Sequence, residues 1–306
     1  MIEFRNITLQ RGTHRALDSV SLTVAAGTIC ALVGPSGAGK TSLLRLVNRL
    51  LIPDSGTVFV DGVDIATIDE VQLRRRLGWV VQEVGLFPHL SVARNIAMVP
   101  ELLHWPQAKI DARVDELLQL VGLDPAQMRD RAPRNLSGGE RQRVGVARAL
   151  AADPPHVLMD EPFGAVDPLR RSELQRDLIG LLRRLQKTVL LVTHDIDEAL
   201  QVADRLALLR DGSLVQAGPP ASLLLAPSDS FVAAFLGSDR ILKLLALHPA
   251  QHLVEPGRAV HPIATDATAR DALETMLSLN VDEVALGSGR VTLAAIRAVA
   301  AGQAGG

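Results

Sequence analysis

The residues best suited to chemistry lie in two glycine-rich runs about a hundred residues apart: Gly34-Pro35-Ser36-Gly37-Ala38-Gly39-Lys40-Thr41 and Leu136-Ser137-Gly138-Gly139-Glu140. The first follows the apolar run Ile29-Cys30-Ala31-Leu32-Val33 and leads into Leu43, Leu44, Leu46 and Val47 at helical spacing. A glycine-rich turn between a strand and a helix lets backbone N–H groups point at phosphate oxygens, and the helix N-terminus adds favourable partial charge. In that context Gly34-x4-Gly39-Lys40-Thr41 reads as a phosphate-binding loop. Lys40 is expected to hold the β- and γ-phosphates, the Thr41 hydroxyl to bind Mg²⁺, and Ser42 to add a hydroxyl to the phosphates. One nucleotide needs a single cradle from its own subunit. The second run therefore suggests a site completed by another subunit, and a switch driven by nucleotide that works by dimerising.

A second chemical signal is the pair Asp160-Glu161 at the end of His156-Val157-Leu158-Met159. Paired carboxylates at the end of a buried strand are costly unless ions or hydrogen bonds use them. The economical assignment puts Asp160 near Mg²⁺ and makes Glu161 the base that polarises an attacking water.

The elements that must position these groups are legible. Residues 1–240 alternate strands and helices, the pattern of an α/β domain with a largely parallel sheet. Ile29–Val33, Val157–Met159 and Val189–Val192 read as strands buried on both faces. Their carboxyl ends carry the Gly34 loop, Asp160-Glu161 and His194, and ligands of open α/β sheets bind at that edge. Leu174, Leu178, Leu181, Leu182 and Leu185 recur at helical spacing after Asp167-Pro168, and Asp195 with Glu198 makes a capping-box pattern. Thr57–Val60 with Asp61-Gly62 reads as a hairpin, a small antiparallel piece near the front. Residues 88–150 look mainly helical, with an apolar stripe at Ile110, Val114, Leu117, Leu118 and Val121. A boundary is expected within residues 237–262, followed by an amphipathic helix presenting Ala269, Ala272, Leu273, Met276 and Leu277.

Composition narrows the function classes. The chain has 306 residues, 47% of them hydrophobic and 22% charged, which suits one large domain and a smaller one. A formal net charge of −2 argues against a broad nucleic-acid footprint. Cys30 is the only cysteine, which leaves no disulfide framework and no cysteine-based zinc site, and it reads as a core residue. No apolar stretch approaches the roughly 18 residues that span a bilayer. The Met1-Ile2-Glu3-Phe4-Arg5-Asn6 start lacks a basic region before an apolar one. The expectation is a chain that stays cytosolic, with any membrane role reached through a partner.

Taken in order, the phosphate loop, Gln82, Leu136–Glu140, Asp160-Glu161 and His194 resemble the ATP-binding subunit of an ABC transporter over about residues 1–240. The resemblance implies a P-loop fold of ABC type: a mixed sheet core, an antiparallel β piece and a helical subdomain at about 88–150. It implies ATP and Mg²⁺, and a head-to-tail dimer in which Ser137, Gly138 and Gly139 of one subunit reach the phosphates held by Lys40 of the other. Gln82 would link Mg²⁺ or water to a membrane permease, His194 would contact the γ-phosphate, and Gly164-Ala165-Val166-Asp167 would join the two sites. The family usually stacks adenine on an aromatic residue near position 11. This chain has Arg11 there and no tyrosine at all; a guanidinium plane can also stack on a base, and Phe4 is the other candidate.

A narrower resemblance covers Gln82-Glu83-Val84-Gly85-Leu86-Phe87-Pro88-His89 and Val99-Pro100-Glu101-Leu102-Leu103-His104-Trp105-Pro106. It is similar to the ATPase subunit of importers for glycine betaine, choline, carnitine or proline, in which a separate binding protein and the permease choose the cargo. Residues 241–306 resemble a linker and one shortened CBS motif, either regulatory or a structural extension. Two alternatives stay open: the same motor serving another solute, such as an amino acid or sulfonate, and a non-transport ABC ATPase acting on ribosomes or DNA.

Overall fold

The computed structural model describes residues 1–82, 85–164 and 168–302; of these, 168–170 and 172 are described by backbone alone. By backbone contacts the chain divides into two compact units, residues 1–195 with 202–215, and residues 196–201 with 216–306.

The first unit begins with an antiparallel sheet. β1 (Ile2–Arg11) pairs with β2 (His14–Val24) on one side and, on the other, with the first strand of a later hairpin. The second strand group starts with β3 (Ile29–Val33), all five residues buried, from which the chain enters α1 (Lys40–Val47). The hairpin is β4 (Ser55–Val60) and β5 (Val63–Asp64), giving the order β2-β1-β4-β5. Its turn, Asp61-Gly62, has φ of 51° and 79°, the double positive φ that a two-residue hairpin demands.

After α2 (Glu70–Arg75) comes β6 (Leu77–Val80) and then the helical stretch α3 (Val92–Leu102), α4 (Gln107–Leu120), α5 (Pro125–Met128) and α6 (Gly138–Leu150). Ile110, Val114, Leu117 and Leu118 are all buried, as their spacing predicts. The chain continues through β7 (His156–Asp160), α7 (Pro168–Arg184), β8 (Thr188–Val192), α8 (Ile196–Val202), β9 (Arg205–Arg210) and β10 (Ser213–Gly218). The large sheet has the order β10-β9-β3-β8-β7-β6. β6–β7, β7–β8, β8–β3 and β3–β9 pair in parallel, whereas β9 and β10 are joined by the two-residue turn Asp211-Gly212. The sheet is therefore mixed. β3, β7 and β8 are buried at every position, which is why they read as unbroken apolar runs. Cys30 is among these residues, and burial pushes its thiol up to about 12.

The second unit contains most of α8, with α9 (Pro220–Leu225), α10 (Ser230–Leu236), α11 (Arg240–Leu247), α12 (Ala269–Leu279), the hairpin β11 (Glu283–Leu286) and β12 (Gly289–Thr292), and α13 (Leu293–Ala300). Its division point precedes the one read from sequence. Gly237 looks like a linker, yet the turn it makes is tied down. Lys243 Nζ donates to Leu236 O at 3.0 Å and pairs with Asp239 at 3.2 Å and Asp197 at 3.0 Å. One cation thus holds α11 to its preceding turn and to α8. Thr268 and Asp271 form a reciprocal capping box at the start of α12. Ala269, Ala272 and Met276 are buried, but Leu277 is 72% exposed. On a 3.6-residue repeat Leu277 lies one step round from the buried line, so the apolar face is narrower than its sequence spacing implies.

Among the described residues, no helix is long and apolar enough to cross a membrane.

Candidate active site

The loop between β3 and α1 occupies the carboxyl edge of the large sheet, and two of its glycines are dictated by space. A Cβ at Gly34, where φ is 145°, would run into Leu209 O. One at Gly39, where φ is 100°, would lie 2.7 Å from Ala16 O and 2.6 Å from a Leu17 methyl. The loop can fold this way only because glycine supplies both the conformation and the clearance. Lys40 is buried, and its Nζ donates to Gly34 O at 2.7 Å and Pro35 O at 2.8 Å. Burial lowers its affinity for a proton, while Glu161 and Asp160 oppose that loss.

The loop opens onto a cleft of about 650 Å³. Ser36, Gly37, Ala38, Gly39, Lys40, Thr41 and Ser42 line one wall; Glu161 and His194 approach from the neighbouring strand ends, and Arg11, His14 and Ala16 from the first hairpin. Parallel pairing explains the convergence. Asp160 is in register with Val192, so the residues just beyond each strand end face the same loop.

Asp160 is buried at the end of β7, and the Thr41 hydroxyl donates to its Oδ1 at 3.2 Å. Burial raises its carboxyl above the ordinary aspartate value, against the Thr41 hydrogen bond and the pull of Arg45. A buried carboxylate beside a hydroxyl, at the mouth of a phosphate loop, is a hard oxygen donor set that fits Mg²⁺, which needs only one or two protein ligands beside water and phosphate oxygens. Thr41 and Asp160 would hold it.

Glu161 follows directly, in the left-handed region with φ of 46°, a conformation that costs a non-glycine residue about 1–2 kcal/mol. Its N–H donates to Val192 O at 2.9 Å, which turns the side chain out of the sheet into the cleft. Two partners then fix the carboxylate. Gln82 Nε2 donates to Oε2 at 2.9 Å, and His194 Nδ1 lies 3.2 Å from Oε1. Gln82, Glu161 and His194, spread over 113 residues of sequence, thus meet at one point of the cleft, with Gln82 hydrogen-bonded to the carboxylate and the His194 ring beside it.

Ser137, Gly138 and Gly139 do not line this cleft. They form the N-terminus of α6, where Ser137 Oγ accepts from Glu140 N at 3.2 Å and Glu140 Oε2 accepts from Ser137 N at 2.7 Å. The Ser137 backbone hydrogen bond holds the Glu140 carboxyl below its usual value. Gly139 differs from the loop glycines, because a Cβ there meets nothing within 4 Å. The joining segment is described only at Gly164; Ala165, Val166 and Asp167 lie outside the described residues, as do Glu83 and Val84.

Two sequence expectations about the base end need correction or addition. Phe4 is 1% exposed and points into the core, so it is unavailable to a base. His14 and Ala16 line the cleft but carry no motif. The signal that could have found His14 is the Gly12-Thr13 turn, which pairs it with Arg11.

A loop of the phosphate-binding pattern, with buried Asp160 and cleft-facing Glu161 at one edge of a mixed α/β sheet, is the arrangement of a P-loop nucleoside triphosphatase. Comparison with known proteins makes the class specific: residues 17–164 match the family described as ABC transporter. The osmoprotectant import ATP-binding protein OsmV of Salmonella typhimurium is 47% identical over 81% of this chain and 66% of its own length, so the chain spans just under two thirds of that relative. The glycine betaine/carnitine/choline transport ATP-binding protein OpuCA of Bacillus subtilis is 44% identical over 90% of this chain and 72% of its own. The glycine betaine uptake system ATP-binding protein YehX of Escherichia coli is 44% identical over 91% of both. Among solved structures, a dimeric ATP-binding cassette in a post-hydrolysis state bound to ADP and Pi superposes with a TM-score of 0.65 at 31% identity, covering 72% of this chain and 99% of that one. The chain belongs to the ABC transporter family.

Proposed function

We propose that this chain is the ATP-hydrolysing motor of an importer for quaternary-amine osmoprotectants, acting as a head-to-tail dimer at the cytoplasmic face of the membrane. The observation that carries the catalytic part is the Glu161 carboxylate, held between Gln82 and His194 beside the phosphate loop. Lys40 exchanges its two carbonyl partners for the β- and γ-phosphates. Mg²⁺, when bound by Thr41 and Asp160, neutralises phosphate charge. Glu161 accepts a proton from the attacking water, and His194 steadies the γ-phosphate. Residues 1–240 are the proposed ATPase domain.

Gly139 supports the shared site. Glycine in a helix is about 0.5–1 kcal/mol less favourable than alanine, and no contact among the described residues requires it there. A partner subunit's phosphates approaching the start of α6 would. Dimeric cassettes among the structural relatives favour the same reading.

The permease is proposed to dock in a groove of about 320 Å³ beside the Gln82 segment, lined by Trp79, Val81, Gly85, Phe87, Met98 and Val99 among others. Trp79 Nε1 and Arg75 Nε are buried there with no acceptor among the described residues, a cost that a partner's carbonyl or carboxylate would remove. Arg148 donates to Gly85 O at 2.8 Å, which ties the segment after Gln82 to α6. Residues 241–306 are proposed to be a linker and a single shortened CBS-like region.

The cargo follows from the relatives, whose names specify osmoprotectants, glycine betaine, carnitine and choline. Proteoliposomes carrying the motor with the permease and binding protein from neighbouring reading frames are expected to take up labelled glycine betaine or choline in an ATP-dependent manner. Uptake of an amino acid or sulfonate alone would replace the cargo while leaving the motor; no uptake of any solute would remove the transport reading.

A further inference from the structure

Asn95, on α3, does not line the nucleotide cleft and is completely buried. A buried carboxamide is costly unless its oxygen and both N–H groups find partners. Among the described residues, every partner of this side chain is backbone of one short loop, residues 87–91. Phe87 N donates to Asn95 Oδ1 at 2.8 Å. Asn95 Nδ2 shares its hydrogens among Phe87 O at 3.2 Å, Leu90 O at 3.2 Å and Ser91 O at 3.0 Å. Phe87 is thus gripped by its N–H and its carbonyl alike.

The loop is closed a second way. Leu90 N donates to Phe87 O at 3.1 Å, and Pro88 takes the second position of that four-residue turn, where its fixed φ suits the bend. The first turn of α3 is anchored in its own right. Val92 N donates to Arg131 O and Ala93 N to Arg129 O, each at 3.0 Å. The loop is therefore fixed to α3, and α3 to the segment that leads to Ser137.

What this fixed loop presents is an aromatic side chain. Phe87 is 40% exposed, meets the His89 ring edge-on with centroids 6.0 Å apart, and lines the groove with Trp79 and Met98. A half-exposed phenyl ring gains little inside its own chain from so firm a backbone. A partner gains more, because an aromatic anchor on a pre-set loop binds without the entropy cost of ordering that loop.

We propose that Asn95 is a positioning residue for coupling: it pre-sets the 87–91 loop so that Phe87 anchors the permease subunit in the groove. This rests on the reading of that groove as the permease's seat, and the test separates the two. Binding of the full chain to vesicles that carry the permease is measured by cosedimentation, with ATP hydrolysis by the free chain measured alongside. Asn95→Ala is expected to raise the half-saturating chain concentration by about tenfold, the order of a lost anchor or lost preorganisation. Its kcat and KM in the free chain are expected to match wild type. Phe87→Ala should weaken binding to a similar degree. If Asn95 acts through Phe87, the double variant binds no more weakly than Phe87→Ala alone. Pro88→Gly frees the loop while leaving Asn95 in place, and is expected to act in the same direction and less. Should Asn95→Ala fail to fold, Pro88→Gly alone and combined with Phe87→Ala completes the same comparison.

Additive losses in the double variant overturn the proposal, as does wild-type binding by Asn95→Ala or, in its place, by Pro88→Gly. A fall in free-chain hydrolysis that matches the fall in binding also overturns it, because Asn95 would then support the helical stretch as a whole. Vesicles that fail to bind the wild-type chain remove the permease seat itself, and the proposal with it.

Discussion

At the scale of single residues, the proposed chemistry depends on one carboxylate and its two neighbours. Glu161→Gln keeps the volume and can keep a hydrogen bond with Gln82 but removes the proton acceptor. Phosphate release is expected to fall by about 10²–10⁴, with labelled ATP retained through gel filtration. Unchanged turnover would take the base role from Glu161. A second residue answers to pH. His156 is buried with Nε2 2.8 Å from Asp61 Oδ2 and Nδ1 without a partner. The bare Nδ1 makes the ring a neutral Nε2–H donor to the Asp61 carboxylate. Burial lowers its pKa against the pull of Asp61, so the unfolded chain binds a proton that the fold resists. Stability is full above about pH 6.5, the ordinary imidazole value, and declines as pH falls below it. Melting temperatures of wild type and His156→Gln, compared from pH 8 to 5.5, are expected to converge toward acid; a constant gap would refute this.

At the scale of elements, two glycines of the same name do different work. Gly39 is fixed by its own fold, and Gly139 is open to its surroundings within the chain. Gly39→Ala is expected to lower stability and abolish nucleotide binding, because a methyl group meets the Ala16 carbonyl in a backbone region alanine avoids. Gly139→Ala is expected to melt at or slightly above the wild-type temperature and yet hydrolyse less. Calorimetry beside an ATPase assay checks both; a destabilised Gly139→Ala would mean that its clearance serves the chain itself. The strands that carry the chemistry were legible because β3, β7 and β8 are apolar at every position, a pattern that needs no partner to be read. Leu277 was misread because a helix face is set by what covers it, which spacing cannot say.

At the scale of the whole molecule, the proposed site is split between subunits, since the α6 N-terminus lies outside the cleft of its own chain. Ser137→Arg is expected to abolish hydrolysis while the isolated subunit binds ATP as before. Mixing it with Lys40→Ala should restore part of the activity, because one of the two composite sites then contains an intact Lys40 and an intact Ser137. Failure to restore, with wild-type turnover per molecule unchanged on dilution, would place the entire site in one chain.

The amino-acid sequence by itself determined the glycine loop, the acid pair and the buried strands that carry them, because these depend on local features: backbone conformation at glycines, uniform apolarity and the group at each strand end. Tertiary structure decided what local contacts cannot. It removed Phe4 from the base end by burying it and brought His14 to the cleft through a two-residue turn. It also gathered Gln82, Glu161 and His194 at one point of the cleft through strand register. Distances between residues far apart in the chain are set by packing, and packing is a property of the fold as a whole.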